Sequence, residues 1–293
     1  MRHLIRKLTF GLIFLLLVPK AGSSEPFQEL AGFSQSFREL KGEHFIVLYA
    51  QDENFAKKVL NKAEKYYLTI AADLGYARYS KFWNWENRVK IEIYADKKSY
   101  LAATRSPEWT DGLANYKDHF IASYAGSDSF VENVLPHEIA HLIFRDFVGF
   151  QGDVPAWIDE GIAQWWTKGI KDDSIHLQVK HLFQNSALLS ARDISQIDPK
   201  TIVPGLTSIK KTTARDGKPA MLILEHDQLI ATFYLQAASL VGFMRERYGT
   251  ERFTRFCRDL RDGKSVDRAL QDAYGEYFSD MAGLDKAWRK FLS

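Results

Sequence analysis

The sequence predicts an α+β protein, with an α/β amino-terminal part over residues 25–150 and a mostly α-helical carboxy-terminal part over 151–293. Three observations predict it. Runs of β-rich residues are concentrated in the first half, at 44–50, 89–94, 113–116 and 120–124. Apolar residues at helical spacing dominate from Ser129 onward. Gly249, Gly263 and Gly275 then divide the last stretch into helix-length pieces.

Residues 1–24 are set apart from this fold as a signal peptide. Arg2, Arg6 and Lys7 make a basic start, Leu8 to Val18 is an apolar run, and Ala21, Gly22 and Ser23 are small residues suited to a signal peptidase. The apolar run of 11 residues is shorter than the roughly 20 that a spanning helix needs. No later stretch is long enough either, so no stable membrane span is expected after signal removal. The remaining length suffices for one large domain or two closely packed ones. Thirty-nine basic and 37 acidic side chains leave a formal charge of +2 spread along the chain, which gives no argument for nucleic acid or an anionic surface. Cys257 is the only cysteine, so no internal disulfide forms. With no Asn-x-Ser/Thr acceptor after the signal, a bacterial periplasm or cell exterior is the expected setting.

His44 to Ala50 is the first strand. Asn54 to Leu74 is a long helix with Phe55, Val59, Leu60, Ala63, Tyr67, Ile70 and Leu74 on one face, closed by Gly75. Val89 to Tyr94 alternates as a strand, and Leu113–Tyr116 with Phe120–Tyr124 forms a hairpin. Ser129-x-x-Glu132 carries a capping-box pattern opening a helix towards Phe147. Pro136 interrupts it, so that the helix either kinks there or starts later. A second helix runs from Pro155 to Lys168. Asp216-Gly217 marks a turn between two short runs. Residues 229–248, 251–261, 266–274 and 281–292 are helical, and the two parts are expected to meet at a cleft near residue 150.

The run Leu135-Pro136-His137-Glu138-Ile139-Ala140-His141 contains His-Glu-x-x-His. On a helix, positions four apart lie one above the other, so His137 and His141 can reach one metal while Glu138 faces the adjacent volume. A catalytic zinc takes three protein ligands and leaves one position open. Glu160, with 18 residues between it and His141, sits where a second helix would bring it to face the first. The other histidines, at 44, 119, 176, 181 and 226, lack a ligand partner at helical spacing, although His119 lies on the hairpin that borders the site. Trp157, Trp165, Trp166 and Cys257 are assigned to packing.

His-Glu-x-x-His followed by Glu160 within Trp157-x-Asp159-Glu160-Gly161-x-Ala163 resembles the gluzincin metallopeptidases, in particular the peptidase MA-like group, and more distantly the aminopeptidases related to leukotriene A4 hydrolase. The resemblance is carried by residues 129–168, and elsewhere only the order of elements matches. It implies a zincin-like amino-terminal part, one Zn2+ per chain held by His137, His141 and Glu160, Glu138 as catalytic base, and a peptide or protein substrate. It further implies a tyrosine after the metal site as oxyanion donor, for which Tyr234 is the candidate and Tyr248 the weaker one. A sheet edge above the metal, Gly112–Tyr116 or Phe120–Tyr124, would bind the peptide as an added strand. Two departures stand out. The Gly-x-Met-Glu-Asn element that holds a free amino terminus is missing from Gly112-Leu113-Ala114-Asn115-Tyr116, which points to an endopeptidase. Gln164 stands where thermolysin-like relatives have an aspartate that orients a ligand imidazole, with Asp159 as a substitute. The alternative to an enzyme is a non-catalytic exported binding protein that retains the fold.

Overall fold

A computed structural model describes residues 36–75, 83, 87–149, 154–167, 174–214 and 217–293. The signal peptide, Lys168, the linker at 150–153 and Asp216 lie outside the described residues. The fold is α+β, with one five-stranded sheet in the amino-terminal half and a helical carboxy-terminal half.

β1 (Arg38–Lys41) and β2 (Phe45–Tyr49) run antiparallel. β2, β3 (Val89–Tyr94) and β5 (Phe120–Tyr124) are parallel, and β4 (Leu113–Asn115) closes the sheet antiparallel to β5. The order β1-β2-β3-β5-β4 leaves β4 on the outside. Phe120–Tyr124 is therefore interior, and only the first of the two expected edges can take an added strand. Alternation along the parallel strands drives the sheet onto its helices, with Phe45, Val47, Val89, Ile91 and Ile121 fully buried.

α1 (Glu53–Asp73) starts at Asp52, whose carboxylate accepts from the Phe55 amide at 2.9 Å. Its buried face of Phe55, Val59, Ala63, Tyr67 and Ile70 packs on β2 and on the helix that carries His137 and His141. α2 (Lys97–Thr104) covers β3 and β5. Gly112 lets β4 approach closely, since a Cβ there would meet Phe130 at 2.9 Å and the Ala122 carbonyl at 3.1 Å.

The helix that carries His137 and His141 resolves the question posed by Pro136. Ser127, not Ser129, caps the segment, accepting from the Phe130 amide at 3.1 Å. Ser129 lies within helical backbone and makes no cap bond, and Glu132 turns to Lys62 at 3.0 Å. A π-helical turn (Phe130–Val134) follows, in which the Leu135 amide reaches the Phe130 carbonyl, and α3 (Leu135–Val148) continues from it. The wider turn accommodates the missing amide hydrogen and the ring of Pro136, so the helix passes the proline. Gly149, at φ +73°, ends it.

α4 (Ala156–Trp165) has Pro155 at its cap position and packs on α3 and on α7 (His226–Tyr248). α5 (Ser174–Gln184) and α6 (Ala191–Gln196) flank α7, followed in space by α8 (Thr250–Arg261), α9 (Val266–Tyr274) and α10 (Met281–Leu292). Between α6 and α7, β6 (Ser208–Thr213) and β7 (Pro219–Leu224) form a separate antiparallel hairpin. One apolar core joins both halves, and buried Arg245 of α7 is paired with Asp73 of α1.

Candidate metal centre

Helical spacing places His137 and His141 one turn apart on the buried face of α3, and α4 delivers Glu160 opposite them. The three close on one point. His137 Nε2 and His141 Nε2 are 3.2 Å apart, and Glu160 Oε2 lies 3.8 Å from the first and 3.5 Å from the second. Bonds of about 2.0–2.1 Å to a tetrahedral zinc imply ligand separations of roughly 3.3 Å. These side chains are buried, and Glu160 Oε2 has no hydrogen-bond partner among the described residues. A buried carboxylate oxygen without a donor, facing two imidazole nitrogens, is the donor set a divalent cation satisfies. Among the described residues it is the only group of three His, Cys, Asp or Glu side chains that converges in this way.

Support for the ligands comes from the neighbouring turns. His141 Nδ1 donates to Asp159 Oδ1 at 2.8 Å, and Arg145 donates to Asp159 Oδ2 at 2.5 Å. Asp159 thus takes the orienting role, while Gln164, buried on the same helix, makes no hydrogen bond to either ligand histidine. Burial works against the Asp159 charge, but the His141 and Arg145 cations hold its carboxyl far below the usual range. Burial likewise opposes a charged His141, yet Asp159 and Glu160 outweigh it and raise the imidazole to about 10. Burial and the neighbouring His141 push His137 well down, and its Nδ1 meets only Thr167 Oγ1 at 3.4 Å and the Ala163 carbonyl.

Glu138 is almost fully buried beside the ligands, and burial raises its carboxyl to about 7, against the pull of His141 and a hydrogen bond from Tyr116. Tyr116 donates to Glu138 Oε2 at 2.9 Å. Its ring lies 5.4 Å from the His141 ring, and the Arg145 guanidinium sits over it at 4.6 Å from the ring centroid. Sequence reasoning assigned this tyrosine no role of its own. The available signal was its place at the end of the edge strand β4.

Tyr234 on α7 is buried, and burial together with the Glu160, Glu138 and Asp159 carboxylates raises its hydroxyl far above the ordinary range. The helix therefore carries it into the field of the acidic site, although it makes no hydrogen bond to those carboxylates among the described residues. Tyr248 packs instead among Tyr274, Tyr277 and Phe278. His119 pairs with Asp146 at 3.3 Å, and His44 with Glu64 at 2.7 Å, so neither joins the centre. Trp157, Trp165 and Trp166 are buried in the core, and burial pushes the Cys257 thiol up.

No family model and no curated protein matches the chain. Among solved structures it is similar to "Structure of native yeast LTA4 hydrolase", at 14 % identity and a TM-score of 0.44, over 86 % of this chain and 38 % of the other. The chain thus spans well under half the length of that structure.

Proposed function

We propose that this protein is an exported zinc-dependent peptidase, an endopeptidase that hydrolyses peptide bonds with a metal-activated water. The observation that carries this reading is the convergence of His137, His141 and Glu160 within 3.2–3.8 Å, with the Glu138 carboxylate buried beside them. Zinc held by those three side chains supplies Lewis-acid polarisation of a carbonyl and lowers the pKa of a bound water.

The chain's own groups do the rest. Tyr116 engages Glu138 Oε2, which leaves Oε1 to take a proton from the attacking water and return it to the leaving amine nitrogen. Asp159, anchored by Arg145, holds the His141 ring with its Nε2 towards Glu160. Tyr234 is the candidate donor to the oxyanion. The outer strand β4 offers main-chain groups to an extended peptide, and it lacks a glutamate that would fix a free amino terminus.

Metal analysis of the purified protein beside a His137→Ala/His141→Ala variant tests the site, with about one zinc per chain expected in the first and none in the second. Glu138→Gln is expected to keep the zinc and lose hydrolysis by about 10²–10⁴-fold. A Glu138→Gln protein that retains full biological activity would favour the binding protein over the enzyme.

A further inference from the structure

Outside the metal centre, the molecule's most unusual surface is the β6–β7 hairpin with the loop that leads into it. Val203, Leu206, Ile209, Met221 and Ile223 are 56–69 % exposed, five of the ten large apolar residues that stand out from the described surface. The register explains why. Ile209 pairs with Ile223, Lys211 with Met221 and Thr213 with Pro219, so all six project from one face. The opposite face is the attached one, where Thr212 donates to the Leu188 carbonyl and Leu222 and Leu224 pack against the core. Arg289 also donates to the Thr213 carbonyl at 3.2 Å. The hairpin is thus pinned by one side and presents an aliphatic sheet face on the other.

Charge accompanies the apolar face. Residues 199–224 contain Lys200, Lys210, Lys211, Arg215 and Lys218 but a single acid, Asp216, in a chain whose total charge is only +2. Near-neutrality of the whole conceals this basic segment. Lys200, Lys210 and Lys211 have no carboxylate partner among the described residues. Aliphatic side chains flanked by lysines match an anionic bilayer surface better than a protein interface, from which lysine is depleted. Two lysines on β6 and Pro219 opening β7 also make the hairpin a poor template for an added strand.

We infer that the β6–β7 hairpin docks the protein on an anionic lipid surface, its aliphatic face entering the headgroup boundary and its lysines meeting lipid phosphates. The inference is independent of the peptidase reading and needs no metal. It is tested with the full chain and vesicles of phosphatidylcholine alone or mixed with phosphatidylglycerol. The apolar run Leu8–Val18 is common to every variant, so differences report the hairpin. The wild type is expected to co-sediment with the anionic vesicles and to be released by salt. Ile209→Ser/Met221→Ser/Ile223→Ser should weaken that binding about tenfold or more, and Lys211→Ser, on the same face, about fivefold. An environment-sensitive dye on Met221→Cys should shift to the blue with anionic vesicles only, the buried Cys257 remaining unlabelled. No shift of the dye, or binding that both variants leave unchanged, overturns the inference. So does a patch that self-associates, or that raises KM for a protein substrate when mutated, without any vesicle binding.

Discussion

His137 and His141 stand one turn apart on α3, yet the two halves of the helix that carry them are held by different physics. Around His141 the support is charged. Asp159 spans His141 and Arg145, Arg145 lies against Tyr116, and a turn later Asp146 accepts from Trp83 at 2.7 Å and pairs with His119. Around His137 the support is mainly steric, with Phe130, Val131 and Val134 of the π-helical turn and Leu135 after it fully or almost fully buried, and with a long contact to Thr167 and the Ala163 carbonyl as its polar partners. One histidine is therefore oriented by charges that can be removed singly, and the other mainly by a packed turn.

The largest effect should come from breaking the charged side. Asp159→Asn keeps the shape but strands Arg145 and loosens His141, and zinc affinity is expected to fall about 10–100-fold, read by competition with a chelating indicator. Gly161→Ala tests how far packing alone positions Glu160. Its Cβ would meet the Ala237 carbonyl and Val241 at 2.7 Å, forcing α4 off α7, at an expected cost of about 1–3 kcal/mol in denaturant unfolding. Thr167→Val removes the side-chain polar partner of His137 and leaves the Ala163 carbonyl, and because the lost contact is 3.4 Å long the zinc affinity should change less than about threefold. A loss equal to that of Asp159→Asn would erase the distinction between the two histidines.

The smallest effect concerns His119 at the far end of the charged half. Its hydrogen bond to Asp146 raises its pKa above the ordinary histidine value near 6.5. The stabilisation is therefore complete below about pH 6.5 and is lost as pH rises through the raised folded value. His119 is about a third exposed, so the pair contributes less than about 1 kcal/mol. Urea unfolding of His119→Ala should show a larger deficit at about pH 6 than at about pH 9.

The elements that were legible in the sequence are those with strong local periodicity. The α1 face, the β3 alternation and the four carboxy-terminal helices all appear within a residue or a few of their expected bounds. β1 escaped notice because Arg38-Glu39-Leu40-Lys41 is polar and takes its strand conformation from pairing with β2. α2 is short, with Tyr100 as its only buried residue, so its period carried little signal. The capping-box pattern at Ser129 misled because Ser127 lies two residues earlier and its bond defines the true start.

At the candidate metal centre, the sequence by itself determined which side chains could converge on a metal, His137, His141 and Glu160. His137, Glu138 and His141 are positioned by the helical repeat, a local property, and Glu160 by a second helix a short loop away. Tertiary structure alone decided which groups surround them. Tyr116 reaches Glu138 across 22 residues of chain because the sheet order puts β4 at the edge above α3, and Tyr234 enters the field of the site because Gly161 lets α7 press against α4. The exposed face of the β6–β7 hairpin is of the same kind. Its alternation is written in the residues, but which of its two faces meets the core depends on contacts to Leu188 and Arg289, brought together by packing over distances no local pattern encodes.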